Sequence, residues 1–280
     1  MMHQTMSRKP YSSDLSDAEW EILKPLIPPA KTGGRPRRCN LREVLNGIFY
    51  VLRSGCAWRL LPHDFPPWQT VYDYFRNWRT CGIWEMIHAK VREQVRLHCQ
   101  RSATPTAGIV DSQSVKTTEQ GGVRGYDGGK KVKGRKRHLL VDTEGLVLKV
   151  KVEAANLSDR EGAKLLLAGL KQTFPRLKHL WVDSAYRGTF VKWVQEAFGW
   201  TVEVVQRSGS GHRGVWVPPG FEAPSEQPGF QVQRRRWVVE RTFGWLGRHR
   251  RLSKDYEYLP ESAEAFIYTA MIRTMLRRLA

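Results

Sequence analysis

Acidic residues are scarce in this 280-residue sequence: 27 Asp and Glu stand against 46 Lys and Arg, a formal net charge of +19. A surface so unbalanced repels itself unless it works beside a polyanion, and nucleic acid, whose counterions such a chain would release, is the partner it suits. Cysteines are few and badly spaced for chemistry. Cys39, Cys56, Cys81 and Cys99 form no Cys-x-x-Cys pair and have no paired histidines beside them, which argues against a zinc module and a disulfide framework. No apolar stretch approaches the length of a membrane span, and the N-terminus lacks the apolar core of a signal peptide. The chain is therefore expected to be cytoplasmic, with no membrane partner. Gly33-Gly34 is not followed by the Lys-Ser/Thr of a phosphate loop, so no nucleotide cofactor is expected.

What is present falls into two halves. Residues 1–104 read as helices. Ser16 and Glu19 have the spacing of a capping box ahead of Trp20, Ile22 and Leu23, and Pro25, Pro28 and Pro29 end that helix. A basic, breaker-rich loop follows at 31–38. Val44, Leu45, Ile48, Val51 and Leu52 then form one stripe of a second helix that stops near Gly55. A third runs from Pro67 or Trp68 through Trp84 to Leu97. Helix, short turn and helix is a common way to place one helix in the major groove, and a plain helical bundle fits the same pattern.

After the polar segment 100–107 the pattern changes to α/β. Ile109-Val110-Asp111 is a short apolar run ending on a carboxylate, and 136–141 pairs plausibly with 146–152 across a turn at 142–145. A helix at 160–170, a second apolar run ending on Asp183, a helix at 189–198 and a strand at 200–205 follow. Residues 207–230 read as an irregular loop, and helices at 235–247 and 261–279 close the chain. This order is that of an RNase H-like domain over 105–280. Two strands that each stop on an Asp, if adjacent and parallel, bring both carboxylates to one edge of the sheet, where α/β folds place their sites.

Phosphodiester cleavage requires charge stabilisation on the attacking and leaving oxygens, which two hard divalent cations held by carboxylates can supply. Asp111 and Asp183 suit shared ligands of Mg²⁺ or Mn²⁺, and Glu240 is the best third acid. Its helix puts Val239, Phe243 and Leu246 on an apolar face and Arg236, Glu240, Gly244 and Gly247 on another. Glycines inside a helix cost about 1 kcal/mol each relative to Ala, so their place beside a carboxylate suggests that something bulky approaches there. Arg235, Arg236, Arg241 and Arg248 surround it with groups suited to phosphate. Asp142 reads instead as a turn former whose change to Asn would be silent, Glu153 as solvated, and Asp159 as a helix cap that could orient a ligand.

The segments 109–117, 134–138, 182–188 and 235–243, together with Trp58-Arg59-Leu60-Leu61-Pro62 and Trp68-Gln69-Thr70-Val71-Tyr72, resemble the bacterial insertion-sequence transposases of the IS-five family. The resemblance covers nearly the whole chain. It implies that Asp111, Asp183 and Glu240 are a DDE triad on an RNase H-like catalytic domain, preceded by a helical, helix-turn-helix-like DNA-binding domain. It also implies Mg²⁺, terminal inverted repeats and target DNA as partners, a homodimer on paired ends, and a nucleoid-associated location. The family's Tyr-Arg-Glu-Lys signature is matched at Arg236 and Glu240, whereas Gln233 and Gly247 stand at its Tyr and Lys positions. A nuclease of the same fold that cuts without joining is the rival in chemistry. A non-catalytic DNA-binding descendant is the rival from another class, and the retained acids argue against it.

Arg124, Lys130, Lys131, Lys133, Arg135, Lys136 and Arg137 crowd around four glycines. Such a run is expected to be a mobile loop that orders on DNA and grips phosphates beside the scissile bond. Trp58, Trp68, Trp78, Trp237 and Trp245 could stack on bases, but core packing is the ordinary role for each. His138 and His179 lack ligand spacing and read as satisfied structural histidines.

Overall fold

The computed structural model describes residues 8–30, 33, 38–205 and 235–280. The expected loop at 207–230, Gln233, Arg234 and most of the basic segment 31–38 lie outside the described residues. Four helices come first: α1 (Asp17–Leu23), α2 (Leu41–Ser54), α3 (Trp68–Thr80) and α4 (Ile83–His98). The capping box forms as expected, with the Ser16 hydroxyl accepting from the Glu19 amide at 3.1 Å and the Glu19 carboxylate accepting from the Ser16 amide at 2.8 Å. The single helix expected over 68–97 is instead two. Gly82 takes φ +66°, a left-handed conformation that ends α3 and turns the chain into α4.

The sheet contains β1 (Ala107–Lys116), β2 (Gly125–Asp127), β3 (Val132–Val141), β4 (Val147–Ala154), β5 (His179–Val182) and β6 (Thr201–Val204). β1 is central. It pairs antiparallel with β3, which pairs antiparallel with β4, and on its other side it pairs parallel with β5, which pairs parallel with β6. This strand order is the RNase H-like arrangement that the sequence predicts. Alternation along the strands divides the core. Val110, Leu140 and Leu148 face α5 (Asp159–Leu167), α6 (Leu170–Thr173) and α7 (Thr189–Phe198), while Ile109, Leu139, Val141, Val150 and Val152 join the cluster of α8 (Arg236–Gly247), α9 (Pro260–Leu279) and the N-terminal helices.

The expected mobile loop over 124–137 is corrected by the structure. β2 and the start of β3 form a hairpin there, and Arg135, Lys136 and Arg137 are buried. Each has partners. The Arg135 guanidinium donates to the carbonyls of Val123, Glu257 and Tyr258 and pairs with Asp255, while that of Arg137 donates to the carbonyls of Leu252 and Lys254. The irregular segment between the short 3-10 turn at Arg250–Leu252 and α9 has backbone carbonyls with no ladder to join, and the arginine forks satisfy them. Lys136, on the opposite face of β3, donates to the Leu157 carbonyl and pairs with Asp159 at 2.9 Å and Asp127 at 3.5 Å.

Asp142 also does more than expected. Its carboxylate accepts from the Glu144 and Leu146 amides, both at 2.9 Å, as a turn former does, but it is fully buried and ion-paired with Arg96 of α4. Removing its charge would leave a buried guanidinium without its counterion, so a silent Asn replacement is no longer expected. Glu153 is paired with Lys151 at 3.4 Å rather than simply solvated.

The last helix returns to the first half of the chain. Phe266 of α9 stacks on Phe75 with ring centroids 4.3 Å apart and on Trp58 at 5.9 Å, and Arg273 pairs with Glu19 of α1. α9 also covers the open edge of β4: the Tyr268 hydroxyl and Glu264 carboxylate accept from the Val150 and Val152 amides. No helix among the described residues is long and apolar enough to cross a membrane. Because Phe266 is fully buried between helices and sheet, Phe266→Ala should lower stability by about 3–5 kcal/mol. Denaturant unfolding followed by far-ultraviolet dichroism checks this, and the helical signal of both halves should fall in one transition.

Candidate active site

The parallel register of β1 and β5 builds the site. Ile109 sits beside Trp181, and two residues on, Asp111 and Asp183 follow on the same face because side chains alternate with period two. The sequence predicts both acids at strand ends. In the structure only β5 stops, at Val182, and β1 continues to Lys116 because β3 accompanies it to Gly134. Asp111 therefore lies where β1 loses its β5 neighbour, facing a narrow cleft lined by Trp181, Asp183, Val205 and Arg236.

Asp183 caps the short turn after β5, its carboxylate accepting from the Ala185 amide at 2.9 Å. Asp111 accepts from the Ser112 amide at 2.7 Å. Burial, and behind it the neighbouring Asp183 carboxylate, push Asp111 up to about 6, against the pull of the Ser112 amide, Arg236 and Lys130. Arg236 stands among the acids: its guanidinium is 4.0 Å from Asp183 and 3.5 Å from Glu240 one helical turn along α8. Glu240 itself is exposed, with 57% of its side chain open to solvent. Among the described residues, no three His, Cys, Asp or Glu side chains converge as a ready metal cluster. Asp111 and Asp183 are brought together, and Glu240 stays on the solvent side of Arg236.

The exposed face of α8 is as the sequence predicts. Val239, Phe243 and Leu246 are buried, while Glu240, Gly244 and Gly247 are exposed, and a Cβ on either glycine would meet nothing within 4 Å. Among the described residues nothing requires these glycines to be small.

Several residues beside the acids escape a reading by motif. The Ser112 hydroxyl donates to Asp159 at 2.8 Å, and Lys130 donates to the Ser112 carbonyl at 3.3 Å. The Ser114 hydroxyl donates to Asp127. Partial burial would raise Asp127, but the Ser114 hydroxyl, the Lys130 amide and Lys136 hold it down at about 2. The N-cap of α5 is Ser158, so Asp159 is its first residue, turned toward Ser112 and Lys136 as a support next to Asp111. Alternation along β1 is the signal for this network, since Ser112 and Ser114 share the face opposite to Asp111.

Of the basic candidates, Arg124, Lys130, Lys131 and Lys133 are exposed, as are Arg235 and Arg248. Arg241 is half-buried, stacked 4.3 Å from the Trp237 ring centroid and 4.7 Å from that of Trp245. Arg135, Lys136 and Arg137 are withdrawn into the fold as described. Trp78 is buried and Trp58 lies in the aromatic cluster with Phe75 and Phe266, whereas Trp237 is 42% exposed and departs from the expected core role. His138 is buried against Gly162 but has no hydrogen-bond partner on either ring nitrogen among the described residues. Burial pushes its ring down to about 4 and keeps it neutral.

The raised Asp111 gives a prediction. Its folded value of about 6 exceeds the ordinary 3.8, so the folded chain holds that proton more tightly than the unfolded one. The resulting stabilisation is present below about pH 4 and is lost as pH rises through about 6. In chelator at about pH 7.5, Asp111→Asn should therefore raise stability by on the order of 1 kcal/mol, a Tm increase of a few degrees. Near pH 4 the gain should vanish. Calorimetry at the two pH values checks it.

Residues 102–275 match the family model described as "Transposase DDE domain". Residues 15–88 match a second model, described as "Putative transposase of IS4/5 family". Among curated proteins, the 16.2 kDa protein of insertion element IS402 from Burkholderia cepacia is 31% identical over 121 residues, 38% of this chain and 76% of that protein. Protein y4sN of Sinorhizobium fredii is 31% identical over 80 residues, 28% of this chain and 64% of its own length. Among solved structures, the Mos1 strand transfer complex shares 13% identity with a TM-score of 0.22, covering 62% of this chain and 60% of that one.

Proposed function

The chain belongs to the DDE-domain transposase family, and we propose that it cuts phosphodiester bonds at the ends of a mobile DNA element and transfers the freed 3′ hydroxyl to target DNA. The observation that carries this reading is the pair Asp111 and Asp183, brought together where β5 ends beside the continuing β1, with Arg236 between them and Glu240. Burial, and behind it the neighbouring Asp183 carboxylate, raise Asp111, and the two acids form an all-oxygen donor set that a hard divalent cation would relieve. They fit Mg²⁺ or Mn²⁺, which asks for one or two carboxylates and keeps its waters. Asp111 and Asp183 would hold the ion, with Glu240 joining as it leaves Arg236. A divalent cation bound there supplies charge stabilisation for the attacking and leaving oxygens.

The chain's own groups do the rest. Asp111 must give up its proton for the site to work, so activity should fall as pH drops below about 6. The bare face at Gly244 and Gly247 lets a DNA backbone lie against α8, and Arg236, freed from the acids, can turn to a phosphate oxygen. Lys130, already at the Ser112 carbonyl, and the exposed Lys131 and Lys133 line the approach. In this reading residues 1–104 hold the element end, residues 105–280 carry the chemistry, and two copies act on paired ends.

The test is incubation of the full chain with labelled DNA carrying the element's own terminal repeats, with mapping of nicks and joined products. The expected result is a nick at the element end and a joined product in Mg²⁺ or Mn²⁺, neither in excess chelator. Asp111→Asn, Asp183→Asn and Glu240→Gln should each reduce cleavage by at least about 100-fold while end binding persists. Nicks without any joined product would leave a nuclease of this fold. Full cleavage in chelator, or normal cleavage by Asp111→Asn, would defeat the reading.

A further inference from the structure

The end of α8 remote from the acids borders a cavity of about 240 Å³ that, among the described residues, is lined by five arginines and no carboxylate. Arg53 comes from the last turn of α2, Arg248 from the C-cap of α8, and Arg273, Arg277 and Arg278 from α9. Gathering like charges is unfavourable unless an anion joins them. The protein supplies little. Arg273 is engaged with Glu19 and the Asp14 carbonyl, and Arg53 donates to the Arg248 carbonyl. Among the described residues, Arg248, Arg277 and Arg278 form no ion pair with a carboxylate.

His249 provides an independent sign of unmet demand. It lines the same cavity, is only 8% exposed, and its Nδ1 has no hydrogen-bond partner among the described residues. Burial, then Arg53, Arg277, Arg273 and Arg248, push its ring down to about 4. Four guanidiniums from three helices thus act on one buried ring. Arg277 is itself pushed down by burial and by Arg273, with Arg53 adding to the effect and Glu19 opposing it.

Size and position select the anion. A cavity of about 240 Å³ has room for one phosphate group with part of its hydration. Planar guanidinium forks match phosphate oxygens. Arg248 follows Arg236 by twelve residues along α8, a rise of about 18 Å, which for a duplex lying along the bare face of α8 spans about five base-pair steps. The surface between them contains the exposed Gly244 and Gly247.

We propose that the arginine-lined cavity between α2, α8 and α9 is an anchor for one backbone phosphate of the element's DNA, about five base pairs from the bond cut at Asp111 and Asp183. The anchor rests on the transposase reading and adds to it a fixed, sequence-independent grip that sets where along the duplex the acids fall.

The experiment uses the full chain in Ca²⁺ and a series of element-end duplexes, each with a single uncharged methylphosphonate in place of one phosphate. For the native chain, one position three to seven steps from the mapped cut should weaken binding by about tenfold. In Arg53→Gln with Arg277→Gln that penalty should shrink to about twofold or less, because the charge it removes has lost its partners. Arg277→Gln alone is the second variant: its guanidinium makes no hydrogen bond among the described residues, so folding is expected to be intact, and the penalty should fall partway. A penalty undiminished in both variants, or a flat series for a chain that binds and cuts its ends, overturns the anchor and leaves the transposase reading standing. A chain that neither binds nor cuts the ends overturns both.

Discussion

The parallel pairing of β1 with β5 is the constraint on which the site depends. It sets Ile109 beside Trp181 and so delivers Asp111 and Asp183 together at the point where β5 ends. A slip of one residue in either strand would move one acid to the opposite face, and the core positions Val110, Leu180 and Val182 would move with it. The apolar alternation that stabilises the sheet is therefore what enforces the repulsion between the acids. Burial and that repulsion raise Asp111, and Arg236 lies close enough to offset part of the cost.

Arginine serves two ends in this molecule. On β3, Arg135 and Arg137 are interior groups whose forks satisfy backbone carbonyls around 252–258. These contacts tie the sheet to the segment that leads into α9, and Arg96 with Asp142 ties it to α4. Along α8 and the end of α9 the guanidiniums face cavities, tryptophan rings and solvent instead. A net charge of +19 is therefore a guide to function only after the first set is set aside.

The strand order and most helices were legible because alternation of period two and stripes of period 3.6 are direct consequences of one-sided burial. Asp111, Asp183 and the glycine face of α8 were legible for the same reason, since each departs from the pattern its element otherwise obeys. The buried fate of Arg135, Lys136 and Arg137 was not, because a basic, glycine-rich run gives no sign that carbonyls from residues more than a hundred positions away will need donors. The arginine cavity was hidden similarly. Arg273, Arg277 and Arg278 mark the end of α9, but that α2 and α8 bring Arg53 and Arg248 to the same place is a property of packing alone. Gly82, by contrast, carried a local signal for the break between α3 and α4 that the aromatic stripe running through Trp78 and Trp84 concealed.

If Asp111 and Asp183 form one cation site whose position the sheet dictates, an anomalous-scattering map from crystals of the full chain grown with Mn²⁺ will show a peak between the two carboxylates, lost in Asp183→Asn. Mn²⁺ bound instead at Asp127 and Asp159, with nothing between Asp111 and Asp183, would contradict it.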